Sequence, residues 1–237
     1  MSRRDRSADR PKSAAELIAE LQRDPQFVAR EKKQEDDRRR NLERYRTAAC
    51  DVLADLAAAG FKVEAIGDLR RLGTPYLEAV PVLIRWLPRV QDAAVKEDIV
   101  RTLSVPWAGD AAPLLLAEFE RAEDATGTAL RWAAGNALEV LANDKIADGM
   151  IKLATDPRYG RAREMVVLGL GKLNDTRVTD VLLNLLGDDE VAGHAVMALG
   201  KLRARTARSR IEPLLNHPKP WVRKEARKAL ASIDKAG

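Results

Sequence analysis

The sequence predicts an all-α protein: an α-solenoid of about five helical hairpins preceded by an N-terminal helical extension. Three observations carry that reading. An Ala/Leu-rich segment returns at a nearly constant interval, its apolar positions fall at helical spacing, and strand-building residues are scarce. Aromatic residues make up 4% of the 237 residues, and Ala and Leu dominate the apolar fraction. Small and straight-chain side chains suit close-packed helices, whereas strands favour β-branched and aromatic ones.

The recurring segments are VKEDIVRTL (95–103), LRWAAGNAL (130–138), AREMVVLGL (162–170), VAGHAVMAL (191–199) and VRKEARKAL (222–230). Their last leucines, Leu103, Leu138, Leu170, Leu199 and Leu230, stand 35, 32, 29 and 31 residues apart. A period near 30 with two helical stretches per unit marks a helical solenoid. In the last segment Val222, Ala226, Ala229, Leu230 and Ile233 form one stripe on a 3.6-residue helix. These segments read as the second helix of each hairpin.

The first helices are expected at Pro75–Leu87, Ala111–Arg121, Lys145–Ala154, Thr176–Leu186 and Ala204–Leu215. Thr74 before Pro75, Asp110, Asp144 and Asp175 read as their N-caps. Polar breaks such as Gly187-Asp188-Asp189 and His217-Pro218-Lys219-Pro220 join the hairpins. A single hairpin cannot bury its own apolar stripe, so the units must stack into a curved two-layer array.

Over residues 74–237, and most clearly in VLGLGKLNDTRVTDVLLNLLGDDEVAGHAVMALGKL and HPKPWVRKEARKALASI, the chain resembles HEAT repeats. The resemblance is to their short variety, found in phycobilisome-lyase-type proteins. It implies the solenoid fold and leaves function open, because that family includes scaffolds, adaptors, nucleic-acid binders and a few enzymes. The family's Arg column maps to Lys96, Arg131, Arg163 and Arg223, with Ala192 as the departure. The resemblance implies that this column bonds loop carbonyls between adjacent repeats.

Upstream, residues 1–12 read as a disordered basic tail, residues 13–73 as a helical extension and residues 74–237 as the repeat array. Ser13-Ala14-Ala15-Glu16 forms a capping box that opens a short helix ending near Arg23. Asp24-Pro25 starts a second helix with no breaker before Gly60, roughly 50 Å long at 1.5 Å per residue. Val28–Arg46 is almost wholly charged. Ala48–Ala59 shows an apolar stripe of Cys50, Leu53, Leu56 and Ala57, expected to pack on the first repeat and cap the array.

Charge is unevenly spread. Basic residues number 14 against 10 acidic in 1–47, 16 against 23 in 48–199 and 11 against 3 in 200–237. An acidic body thus lies between two basic ends, and the last is strongly one-signed. No apolar stretch approaches the roughly 20 residues that span a bilayer, and MSRRDRSADRPK has no apolar core of a secretory signal. A single cysteine, Cys50, offers no internal disulfide. The expectation is a cytoplasmic protein without membrane contact.

Reactive arrangements find little support. His194 and His217 have no Asp, Glu or Cys at ligand spacing, so neither a metal nor another cofactor is expected. No His-Glu pair occurs of the kind through which the HEAT-like deoxyhypusine hydroxylases bind iron. Gly169-Leu170-Gly171-Lys172 lacks the spacing and the Ser/Thr of a phosphate-binding loop, and its glycines read as sites of close helix packing. The chain shows no match to the catalytic aspartate and aromatic cleft of the HEAT-like alkylpurine glycosylases. The reading is therefore non-enzymatic.

Two features rise above this background. Trp132, next to Arg131, falls in a column otherwise held by Glu97, Glu164, Gly193 and Lys224. It is either an exposed interface anchor or a cover over small neighbours such as Ala133 and Gly135. Trp221 shares a column with Ala94, Ala129, Arg161 and Glu190 and reads first as a cover, though with Trp132 and Arg131 it is also a candidate partner-binding residue. The second feature is a basic patch of Lys201, Arg203, Arg205, Arg208, Arg210, Lys219, Arg223, Lys224, Arg227 and Lys228. It reads as a solvated cap, as the seat of an acidic protein partner, or as a track for nucleic-acid phosphates. The leading functional reading is a protein–protein interaction module. Nucleic-acid binding and a bilin lyase or chaperone role are the alternatives.

Overall fold

The computed structural model describes residues 13–123 and 129–235. The expected disordered tail, 1–12, lies outside them. Among the described residues every regular element is helical.

Helix α1 (Ala14–Leu21) opens with the expected capping box: Glu16 N–H donates to Ser13 Oγ, and Ser13 N–H to Glu16 Oε2 at 2.7 Å. Helix α2 (Pro25–Ala58) follows, with Asp24 Oδ1 accepting from Gln26 N–H at 2.9 Å. Its end is a Schellman motif: Gly60 at φ 97° donates to Ala57 O and Phe61 to Leu56 O, a left-handed position at which glycine bears no steric penalty. The chain divides into two compact units within α2, at Thr47/Ala48. In the first unit the charged run is exposed and carries pairs one turn apart, Arg39–Asp36 at 3.0 Å and Arg38–Glu35 at 3.7 Å. Such exposed pairs contribute only a few tenths of a kcal/mol each.

The second unit begins with the end of α2. Its buried stripe is Ala49, Val52 and Leu56, with Leu53 half-buried and Cys50 and Ala57 exposed. The expected stripe of Cys50, Leu53, Leu56 and Ala57 is thus rotated by about one residue. Asp55 beside it fixes the orientation, accepting from Trp86 Nε1 and Arg85 Nη2, each at 2.7 Å. A short 3-10 segment, Ile66–Arg71, then lies against the first hairpin.

Five hairpins follow: α3 (Ala79–Trp86) and α4 (Ala93–Thr102), α5 (Ala112–Arg121) and α6 (Leu130–Leu141), α7 (Ala147–Thr155) and α8 (Glu164–Leu170), α9 (Val178–Leu185) and α10 (Ala192–Leu202), α11 (Arg208–Ile211) and α12 (Pro220–Asp234). The second helices α4, α6, α8, α10 and α12 contact one another in succession, and α5, α7 and α9 do the same in the other layer. Between the layers lies a continuous core that includes Leu83, Ile99, Leu115, Phe119, Leu138, Met150, Val166, Leu182, Leu199 and Ile211, all fully buried.

The first helices are shorter than expected, and their caps differ. Residues 75–76 are irregular and 77–78 form a turn, so Thr74 caps no helix; Tyr76 is buried there and donates to Thr102 O at 2.7 Å. Asp110 sits inside a 3-10 turn. Asn143 accepts from Lys145 N–H, while Asp144 reaches the next hairpin and accepts from Asn174 N–H at 2.8 Å. Asp175 accepts from Arg177 N–H, just ahead of α9. The expected helix 204–215 breaks into Arg205–Ala207, α11 and Glu212–Asn216, and Pro213, with no N–H to continue the ladder, stands in the first turn of the last.

The second helices approach with backbones nearly touching. A Cβ on Gly171 would stand 2.8 Å from Ala198 Cα, one on Gly200 2.9 Å from Ala229 Cα, and one on Gly169 3.2 Å from Glu139 Cα. The glycines of the Gly169-Leu170-Gly171 run are packing residues. Helix propensity favours Gly→Ala by about 0.8–1 kcal/mol, but forcing backbones apart in a filled core costs about 1–3 kcal/mol. Gly200→Ala is therefore expected to lower stability by about 1 kcal/mol or more in a denaturant titration. Gly109→Ala, with open space around its Cβ, stays within about 0.5 kcal/mol of the parent. At the C-terminus of α10 the left-handed position is held by Arg203 (φ 50°, ψ 40°), whose N–H donates to Gly200 O while Ala204 N–H donates to Leu199 O. Arg203→Gly removes that strain and is expected to raise stability by about 0.5–1 kcal/mol.

Candidate interaction surface

The Arg column is built inward. The carbonyls at a helix C-terminus have no partner within the helix, and guanidinium groups supply one. Arg131 donates to Phe119 O at 3.1 Å and to Ala122 O, at the end of α5. Arg163, 1% exposed, donates to Ala154 O at the end of α7 and to Gly160 O, and pairs with Asp188 at 2.8 Å and Glu190 at 3.4 Å. Arg223 donates to His217 O and Pro218 O. The carbonyls belong to the same hairpin as the arginine, not to an adjacent repeat, which corrects that expectation. Lys96, the column's lysine, instead reaches the buried Glu118 at 3.3 Å.

Arg131 is thereby turned away from solvent, and its guanidinium also stacks 5.3 Å from the Tyr159 ring centre. Trp132, its neighbour, points out and is 39% exposed. Arg101 lies over the Trp132 ring at 5.4 Å, held by Glu97 at 2.7 Å. Asn136 donates to Trp132 O one turn on. With Arg70 and Ser104 these side chains line a cleft of about 320 Å³ between α4 and α6.

Arg70 also walls a second cleft, of about 370 Å³, which Leu69, Pro75, Tyr76, Val105 and Trp107 line. Trp107 is 38% exposed and sits edge-on to Tyr76 at 5.5 Å. Arg70 is fixed between the two clefts by Asp98 at 2.9 Å and Thr102 Oγ1 at 2.8 Å. Two half-exposed indoles thus flank one anchored guanidinium. Trp107 and Arg70 escaped the sequence reading because they lie in irregular segments outside the repeat columns.

Trp221 is 40% exposed, and one side of it packs on the array. Its ring lies on Gly193, where a Cβ would come within 2.0 Å of it, and 5.4 Å from the His194 ring.

The basic patch is partly consumed. Lys219 donates to Asp189 O, Arg223 to the two carbonyls above, Arg208 pairs with Glu212 and Asp234, Lys201 with Glu139, and Lys228 with Glu225. Arg205 also has a partner. Arg203, Arg210, Lys224 and Arg227 have no ion-pair or side-chain hydrogen-bond partner among the described residues.

No group of three or more His, Cys, Asp or Glu among the described residues is placed to hold a metal ion. No described helix is long and apolar enough to cross a membrane.

Residues 187–237, the end of the array, match the family model described as HEAT repeats. The crystal structure of an engineered protein shares the fold, with a TM-score of 0.50 at 20% identity over 79% of this chain and 96% of that one. Two designed armadillo repeat proteins, the first in complex with the peptide (KR)4, align at a TM-score of 0.47 each. Identities are 16% and 17%, over 93% and 92% of this chain and 100% and 98% of theirs. No curated protein matches the chain in sequence. The fold is therefore an all-α helical-repeat array whose last residues, 187–237, match HEAT repeats.

His194 lies beside Trp221, with Nδ1 buried and without a hydrogen-bond partner among the described residues. Burial holds its pKa below the usual imidazole range, with Glu164 opposing that shift and Arg161 adding to it. The unfolded chain then takes up the proton first, near pH 6.5. Stability from the neutral ring is complete above that pH and falls as pH drops below it. Thermal unfolding between pH 7.5 and 5 is expected to show this loss, and His194→Asn to flatten the profile (pH values about these). An unchanged profile in the variant would assign the loss to other groups.

Proposed function

We propose that this chain is a non-enzymatic protein–protein interaction module of the cytoplasm, with Trp107, Arg70, Arg101 and Trp132 as its contact surface. The supporting observation is the placement of two half-exposed indoles on either side of Arg70, each in its own cleft. Trp and Arg are the side chains most enriched among residues that dominate binding energy at protein interfaces. The indoles bury much area while losing few rotamers, and here Glu97 and Asp98 hold the otherwise flexible guanidiniums in place before any partner arrives. Preorganisation of this kind lowers the entropy cost of association. The repeat fold supports the same reading, since stacked hairpins present the kind of extended surface that repeat proteins use for binding.

The test is affinity capture from the native host with quantitative mass spectrometry, comparing the parent with Trp132→Ala and Trp107→Ala. A partner enriched by the parent is expected to weaken by about 2 kcal/mol or more with either variant. Circular dichroism would verify that the fold is kept. Partners retained equally by both variants would rule this surface out.

A further inference from the structure

The last two hairpins carry a second surface that the Trp107–Trp132 reading does not use. Between α10 and α12 runs a groove of about 240 Å³, lined by Met197, Gly200, Lys201, Glu225, Lys228 and Ala229. Its floor is apolar and low, because Gly200 and Ala229 meet backbone to backbone and raise no large side chain. Its rims are lysines. Lys201 reaches Glu139 at 3.4 Å, and Lys228 pairs with Glu225 at 2.7 Å. On the exposed face of α12, Lys224 and Arg227 add two cations without partners among the described residues, within one turn of Lys228. Like charges three and four residues apart repel, so this face is left electrostatically unbalanced in the free chain. An anionic partner would restore the balance.

We propose that the α10–α12 groove binds an acidic peptide segment of a partner protein. An apolar side chain rests on the Met197–Ala229 floor, and carboxylates meet Lys201, Lys224 and Lys228. The groove is smaller than the roughly 300–1,000 Å³ of small-molecule sites, so it suits a side chain or two of a longer segment. Two features favour a peptide over a nucleic-acid backbone. The apolar floor of Met197 and Ala229 receives a side chain, which a phosphate backbone does not offer, and none of the lining residues is an aromatic on which a base would stack. The complementary charge steers association and makes it sensitive to salt. This contact lies on different hairpins from the indole pair and stands or falls independently of it.

The experiment is fluorescence anisotropy with the full chain and three labelled probes: a peptide alternating Glu and Leu, its Gln-for-Glu counterpart, and a single-stranded DNA oligonucleotide. The acidic peptide is expected to bind at low salt and to dissociate as salt rises. Lys224→Glu combined with Lys228→Glu weakens it by about tenfold, and Met197→Asp weakens it as well. Trp132→Ala leaves it unchanged. Lys224→Gln with Lys228→Gln gives a milder loss and serves should the charge reversal fail to fold. The proposal is overturned if the Gln peptide binds equally, or if the oligonucleotide binds and the acidic peptide does not. Binding by no probe, or loss of peptide binding in Trp132→Ala, overturns it too.

Discussion

The array depends on how closely its second helices approach. Three successive interfaces bring a glycine to the neighbouring backbone: Gly169 against Glu139, Gly171 against Ala198 and Gly200 against Ala229. At such separations the two helices share a seam of backbone and methyl contacts, and any larger side chain at the seam would lever the hairpins apart. The second helices pack on one another in succession, so one misplaced interface is little corrected from elsewhere in the array. The seam also decides what solvent sees. Where Gly200 meets Ala229 the surface is low, and the neighbouring Met197, Lys201 and Lys228 become its walls. A packing constraint in the layer thus shapes the groove above it.

The second constraint is the ends of the first helices. They are short, eight to ten residues for α3, α5, α7 and α9, so a large share of their carbonyls lies in a last turn with no internal partner. Arg131 and Arg163 close the ends of α5 and α7, and their positive charge suits the negative pole of each helix. A buried guanidinium is tolerable only when its donors are used. Arg163 meets that condition with two carbonyls and the carboxylates of Asp188 and Glu190, which also tie one hairpin to the next. Arg131 makes the contrast clear: it sits beside an exposed Trp132, yet its charge works for the fold.

Much of this was legible in the sequence. The five second helices, the capping box at Ser13 and the packing role of Gly169 and Gly171 follow from period, spacing and residue size, which local physics sets. The first helices were less legible because their limits depend on tertiary hydrogen bonds. Asp144 looks like a cap and instead bonds Asn174, thirty residues away. The α2 stripe was misplaced because alanines and a cysteine permit several neighbouring stripes, and the Asp55 bonds to Arg85 and Trp86 select one. At the candidate surface, Trp132 stood out as an aromatic in a polar column. Trp107 and Arg70 did not, since no period passes through the turns that hold them. The basic patch was visible as a count, but a count does not separate Arg223, which closes a loop, from Lys224 beside it, which has no partner among the described residues.

That separation bears on how a repeat array acquires specificity. Its interior must repeat, so what is particular to one chain gathers where the repeat fails. Here it fails in two ways. Near the front, turns replace helical columns and leave Trp107 and Trp132 on either side of Arg70. Near the back, α12 carries Lys224, Arg227 and Lys228 on a face where an alternating pattern of acids and bases would have been more stable alone. Both departures cost stability in the isolated chain, the first by exposing aromatic surface and the second by crowding like charge. On the proposed reading each cost is offset on binding, by apolar burial in one case and charge neutralisation in the other. A partner long enough to reach both would gain from each contact raising the effective concentration of the other.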